Sequence, residues 1–199
     1  RSLMATRKIN SVLIANRGEI ALRIVRACRE LGIESVVAHS EADAGSLPVR
    51  LADRAICVGG APAGSSYLSK ERLIGAALSF GIDAIHPGYG FLAENADFAE
   101  LCSKHGIVFI GPPAEIIRTM GNKIQARDLA AALGVATIPG SKGAVSDPEE
   151  AYRVAKSIGF PLLVKAAAGG GGRGMRIISS AGDLERGLQE AMREAQAAF

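Results

Sequence analysis

Between residues 9 and 110, short runs rich in Val, Ile and Ala alternate with longer segments whose apolar residues recur every three or four positions. That alternation constrains the chain most, because strand, helix and strand in succession close as a right-handed crossover onto a mostly parallel sheet. The strands expected are 11–15, 35–39, 55–58, 83–85 and 107–110. The helix after the first should turn Ile20, Ile24, Cys28 and Leu31 inward and stop at Gly32. Glu41-Ala42-Asp43-Ala44-Gly45 reads as a polar loop. Ser69 is placed to cap a helix carrying Leu73, Ile74, Ala77 and Leu78, and Asn95 one carrying Phe98, Leu101 and Cys102.

Ligands of such sheets collect where the strands end, so the loops there hold the candidate chemistry. After the first strand, Asn16-Arg17-Gly18-Glu19 supplies one of the three glycines of a dinucleotide fingerprint, which disfavours NAD. After the fourth, His86-Pro87-Gly88-Tyr89-Gly90-Phe91-Leu92-Ala93-Glu94-Asn95 concentrates glycines, a proline, an aromatic and polar side chains. It reads either as a tight turn with a helix cap or as part of a site, and His86 alone reads as a hydrogen-bonded structural histidine.

Gly111-Pro112-Pro113 marks a boundary, followed by short helices over 114–120 and 123–133. Lys123 opens the second of these, against the helix dipole, which makes it a mild functional flag. Asp147-Pro148-Glu149-Glu150 then starts a helix with a cap, a proline in the first turn and two acids. Strands at 161–164 and 175–178 follow, and a helix from Asp183 with Leu184, Leu188, Met192 and Ala195 inward runs to Phe199. The layout expected is an α/β domain over 8–121, a helical linker over 122–135 and a small α+β unit over 136–199. Two strands and two helices bury little core, so this last unit is expected to be incomplete.

Between its strands stands Lys165-Ala166-Ala167-Ala168-Gly169-Gly170-Gly171-Gly172-Arg173-Gly174-Met175. Consecutive glycines cost more backbone entropy than any other residues, so their retention points to a use for their φ freedom or their bare amides. One use is a hairpin cover whose N–H groups meet phosphate oxygens, with Lys165 adding charge; the other is a mobile tip with a solvated lysine. It is not a P-loop, because no Gly-Lys-Ser/Thr follows and the next element is a strand.

The composition excludes several classes. With 48% hydrophobic and 22% charged residues over 199 positions, disorder is not expected. A balance of 23 basic against 20 acidic residues, with no basic block and 5% aromatics, makes nucleic acid a poor partner. No apolar run approaches the roughly 20 residues of a membrane span. Cys28, Cys57 and Cys102 form neither a disulfide framework nor a zinc pattern, which fits a reducing compartment. Arg1-Ser2-Leu3 before Met4 reads as an expression scar, with a truncated transit peptide as the alternative.

Four motifs in order, Ile14-Ala15-Asn16-Arg17-Gly18-Glu19-Ile20-Ala21, the 86–95 loop, Phe109-Ile110-Gly111-Pro112 and residues 165–175, resemble the biotin carboxylase component of biotin-dependent carboxylases. The resemblance covers nearly the whole chain from Ile9. It implies an ATP-grasp architecture: a Rossmann-like parallel-sheet N-terminal domain followed by an incomplete B-domain lid. It further implies ATP- and bicarbonate-dependent carboxylation of carrier-bound biotin through carboxyphosphate, with Mg²⁺ held by ligands beyond these residues. On the matching positions, Lys123, Lys165, Gly170, Gly171, Gly172 and Met175 would bind ATP, and Tyr89 and Gly90 would border biotin and bicarbonate. No catalytic or metal-binding residue falls inside the chain on this reading, so the chain alone is expected to be inactive. The implied partners are a biotin carboxyl carrier domain and a carboxyltransferase, with a homodimer through Arg23, Arg26 and Glu30 of the first helix. The implied location is cytoplasmic, or the mitochondrial matrix in a eukaryote. Asn122 and Ala168 depart from residues found in many or some members, Asp and Gly respectively. Two other readings stand beside it, another ATP-grasp ligase such as carbamoyl-phosphate synthetase, and a free-standing non-catalytic domain.

Overall fold

A strand covered on both faces must be apolar on both, and Ser11–Ile14 (β1) is, with every residue buried. The computed structural model describes residues 8–141, 143, 145, 147–165 and 175–198, with side chains except those of Lys123 and 194–198. It divides into one unit ending at Gly121 and a second starting at Asn122.

In the first unit β1 leads into α1 (Gly18–Leu31), then β2 (Glu34–Ser40), α2 (Leu47–Leu51), β3 (Arg54–Gly59), α3 (Lys70–Ser79), β4 (Ala84–His86), α4 (Ala96–Lys104), β5 (Val108–Phe109) and α5 (Ala114–Gly121). All strand pairs are parallel and the sheet order is β3-β2-β1-β4-β5. Successive side chains of β1 point to opposite faces, so the strand feeds two cores. Leu13 joins Val36, Leu73, Ile85 and Phe98 on one face. Val12 and Ile14 join Ile24, Val25 and Cys28 on the other.

The helix signals act as expected: Ser69 Oγ accepts from Arg72 N at 3.4 Å, Asn95 Oδ1 from Phe98 N at 2.8 Å, and Gly32 takes φ 66° beyond α1. Inward faces are less well foreseen. Leu31 is 73% exposed and Leu78 49%, while Ala21 and Val25 of α1 are buried. Leu31 is the last residue of its helix and Leu78 stands one place from the end of its own, where the sheet no longer covers every residue on the apolar arc. The polar loop after β2 contains a 3-10 turn at Glu41–Asp43, and α2 follows unforeseen because a five-residue helix is too short to show periodicity.

The second unit contains α6 (Lys123–Ala132), α7 (Pro148–Ile158), β6 (Leu162–Lys165), β7 (Met175–Ile178) and α8 (Leu184–Ala198). Asn122, at one of the departures noted above, caps α6 by accepting from Ile124 N at 3.0 Å and Gln125 N at 3.1 Å, as an aspartate would. Asp147 caps α7 from Glu149 N and Glu150 N, both at 3.2 Å. The strands pair antiparallel, with Leu162 opposite Ile178 and Lys165 opposite Met175. Their covered face packs Ile178, Leu162 and Val164 on Ala151, Ala155, Leu184 and Leu188. Gly187 lets α8 approach, since a Cβ there would collide with Ile178 Cδ1. Ala191 at 2% exposure, rather than Met192 at 57%, continues the inward stripe of α8, a correction of one helical position. Ala195 and the glycine run lie outside the described side chains and residues, respectively. Among the described residues no helix is long and apolar enough to cross a membrane.

Candidate functional site

In the first unit the connections run outward from β1 through β2 to β3 on one side and then restart at β4 on the other. The carboxyl ends of β1 and β4 therefore flank the switch point of the sheet, where a crevice opens in open α/β folds. The two loops noted in the sequence meet there. Ile14 is in register with His86, and Ala15 N donates to His86 O at 3.0 Å.

The Asn16 side chain joins the loops. Only 3% exposed, it donates through Nδ2 to Pro87 O at 2.7 Å and Tyr89 O at 2.8 Å, while Oδ1 accepts from Arg17 N at 2.8 Å. Two carbonyl acceptors fix which end of the amide carries the nitrogen. Gly88 has φ 65°, and a Cβ on it would lie 2.8 Å from Asn16 Nδ2 and 3.0 Å from Ile20 Cγ1, so the position excludes a side chain on two grounds. Phe91 adopts φ 42°, which costs a non-glycine residue about 1–2 kcal/mol, and its ring stacks on Tyr67 at 5.1 Å. Tyr89, 61% exposed, reaches back so that its hydroxyl donates to Glu19 Oε1 at 3.3 Å.

A polar network lies beside the loops. Tyr67, 2% exposed, donates its hydroxyl to Asp43 Oδ2 at 2.7 Å and accepts from Ser40 N at 3.0 Å. Arg17 pairs with Asp43 Oδ1 at 2.7 Å, and its guanidinium sits 5.9 Å from the centre of the Tyr67 ring. Burial pushes the Asp43 carboxyl up, but hydrogen bonds from Tyr67, Ser40 and Arg17 outweigh it and hold the group below the usual carboxylate range. Burial, then the bond to Asp43, raises the Tyr67 phenol. His86 is half-buried, and desolvation lowers its imidazole below the ordinary value. Its Nδ1 accepts from Gly88 N at 3.0 Å, which is the structural role read from the sequence.

In the second unit, the hairpin's other face is exposed among the described residues. Leu163 is 46% exposed, Met175 39% and Ile177 74%, and Lys165 stands exposed at the end of this apolar strip. The strict alternation of a strand puts these four together, because Leu163 pairs with Ile177 and Lys165 with Met175. Two hollows in this unit, of about 200 and 80 Å³, are lined by none of the candidate ligand-binding residues and are smaller than the ~300 Å³ at which ligand pockets begin.

Tyr89 and Gly90 are thus gathered at the switch point, and Lys165 and Met175 on the hairpin face. Lys123 is the first residue of α6 with its side chain outside the description, and Gly170, Gly171 and Gly172 also lie outside it. Asn16, Leu163 and Ile177 were not singled out. Asn16 was read only as part of a turn and of the first motif, and the two apolar residues only as strand positions. Counting partners for the hairpin, which has helices for only one face, is the signal that finds them.

Residues 8–117 match the family described as biotin carboxylase, N-terminal domain, and residues 122–199 match the carbamoyl-phosphate synthase L chain, ATP binding domain. A biotin carboxylase of Pseudomonas aeruginosa is 52% identical over 192 residues, which are 96% of this chain and 43% of the relative. A biotin carboxylase from Campylobacter jejuni, solved as a complex with β-γ-ATP, superposes with a TM-score of 0.86 at 48% identity, over 96% of this chain and 43% of that one. The biotin carboxylase domain dimer of Hydrogenobacter thermophilus 2-oxoglutarate carboxylase, solved with MgADP, ADP and bicarbonate, gives 0.84 at 49% identity, over 97% and 42% respectively. The chain therefore spans about two fifths of the length of these relatives. The second match carries a carbamoyl-phosphate synthase name, but the relatives that align across both units are biotin carboxylases, so that alternative is not favoured. A match over more than half of its residues, continued through the second unit by relatives near 50% identity, means that the chain belongs to the biotin carboxylase family.

Proposed function

We propose that this chain is the N-terminal domain and most of the nucleotide lid of a biotin carboxylase, which uses ATP and bicarbonate to carboxylate biotin on a carrier domain. Residues 8–121 form the first part, 122–135 the link and 136–199 the lid. The observation that carries the reading is the uncovered hairpin face, an apolar strip of Leu163, Met175 and Ile177 with Lys165 at its end. An adenine ring is flat and apolar on its faces, and a triphosphate is anionic, so a strip ending in an ammonium group fits the two halves of one nucleotide. Lys123 and the amides of Gly170, Gly171 and Gly172 complete the assignment, and Tyr89 and Gly90 border biotin and bicarbonate.

The Mg²⁺ that would neutralise phosphate charge is assigned, on the family resemblance, to ligands outside this chain. What these residues do is bind and orient: Lys165 holds phosphate charge, and the apolar strip excludes water from one side of the base. Arg23, Arg26 and Glu30, all exposed on α1, are assigned to a homodimer contact, and a carrier domain and a carboxyltransferase are the further partners. A reducing, cytoplasmic or matrix, location is consistent with three free cysteines.

The test uses the full-length protein that carries this chain, supplied with ATP, Mg²⁺, bicarbonate and free biotin. Biotin-dependent ADP formation is expected, and Lys165→Ala should lower kcat/KM for ATP about tenfold or more, the scale of one charge-assisted phosphate contact. The 199 residues alone should show no such turnover. Full-length protein without biotin-dependent ADP formation overturns the assignment.

A further inference from the structure

We infer that Asn16 is a positioning residue: it fixes the Tyr89–Gly90 backbone at the switch point and so shapes the edge that meets biotin or bicarbonate. The inference rests on the function proposed above for Tyr89 and Gly90, and adds a residue that touches neither substrate.

Three of the four hydrogen-bonding positions of the Asn16 amide are occupied, two of them by carbonyls of the 86–91 loop at 2.7 and 2.8 Å. Those carbonyls belong to Pro87 and Tyr89, on either side of Gly88, so one rigid amide sets the path of three consecutive residues. Gly88 lies flat against that amide, leaving no room for a Cβ. Beyond the clamp the chain runs through two further left-handed residues, Gly90 at φ 69° and Phe91 at φ 42°. A phenylalanine does not hold that conformation unaided. The Phe91–Tyr67 stack holds one end of the loop and Asn16 the other. Between the two anchors Tyr89 is left 61% exposed, with Glu19 bound to its hydroxyl. A loop needed only to join β4 to α4 would not require a buried side chain from the loop after a different strand to set the path of an exposed one.

Asparagine is the residue this geometry demands. An aspartate has the same shape but would present an anionic oxygen to two carbonyl oxygens, and a glutamine is one carbon longer where Gly88 already lies against the amide. Asn16→Asp therefore breaks the clamp without leaving a cavity. Phe91→Gly loosens the other end, and the backbone strain it removes offsets part of the loss of the ring stacked on Tyr67.

The experiment measures, in the full-length protein, KM for biotin, bicarbonate and ATP, together with hydrogen exchange of the peptide covering 86–91. Losing two hydrogen bonds should speed exchange there about tenfold or more and leave β1 protected. KM for biotin or bicarbonate should rise about five- to tenfold while KM for ATP stays within about twofold. Faster loop exchange with unchanged biotin and bicarbonate constants overturns the inference, as does a rise of all three constants together with loss of protection in β1, the pattern of a merely structural residue. Unchanged loop exchange in both variants overturns it as well. If the unaltered protein shows no biotin-dependent turnover, the functional reading fails on its own, and the exchange data still decide whether Asn16 holds the loop.

Discussion

The five-stranded unit and the hairpin unit solve the same problem with different resources. The first covers both faces of its sheet, with fourteen buried residues in one core and eight in the other. The second has α7 and α8 against one face of two strands, four buried residues, and an apolar strip left over. The difference teaches where to look for a ligand. In the first unit both faces of the sheet are covered, and the candidate residues lie in loops at the strand ends. In the second the uncovered sheet face is itself the candidate surface, because an exposed apolar patch beside a lysine is costly for a soluble domain unless something is to be set upon it.

The largest expected effect tests the independence of the two cores. Leu13→Ala, at a fully buried position in the middle of the sheet, should cost about 3–5 kcal/mol by leaving a cavity that the flanking strands cannot close. Hydrogen exchange should report that loss in β1, β2 and β4 but not in β6 and β7. Equal loss in the hairpin would show that the units unfold as one.

A smaller effect sharpens the account of the loop region. Tyr67→Phe removes the donor to Asp43 and leaves Ser40 N–H without its acceptor, an expected loss of about 1–3 kcal/mol at neutral pH by denaturant titration. Acid should resolve the titrating groups. The imidazole of His86 is depressed by burial, so its contribution is present above the unfolded value of about 6.5 and is lost as pH falls below it. Asp43 is also depressed when folded, so its contribution is present above about 3.9 and is lost as pH falls through the folded value. Stability of the first unit should therefore fall in two stages, and Tyr67→Phe should shrink the second. It should not abolish it, because Asp53 keeps its bonds to the Ser35 hydroxyl and amide and is likewise held low.

The smallest effect on stability is the most telling about the hairpin. Ile177→Thr, at 74% exposure, should shift stability by less than about 0.5 kcal/mol and yet weaken ATP binding in the full-length protein several-fold, read by calorimetry. A large stability loss with unchanged ATP affinity would mean that the strip is core, not ligand surface.

Much of the fold was legible because it rests on local chemistry. The strands at β1 and β2, the caps at Ser69, Asn95 and Asp147 and the stop at Gly32 each follow from residues within a few positions of one another. Leu31 and Met192 were assigned to the wrong side because a helical period gives an arc of apolar positions, not the place where the neighbouring sheet ends. The site was legible in part. Tyr89, Gly90, Lys165 and Met175 stand in motifs, and so does Asn16, but its bonds go to carbonyls 71 and 73 residues away, a distance no local pattern spans.

By itself the sequence determined the alternation of strands and helices, hence a parallel sheet, and through four motifs in order the family. Only the tertiary structure decided that β1 and β4 lie side by side, which brings their loops together, and that the hairpin packs Leu162 and Val164 on its helices while leaving Leu163 and Lys165 outward. Periodicity records which residues share a face. Which face is covered depends on the number and placement of packing partners, and that is settled by contacts between residues distant in the chain.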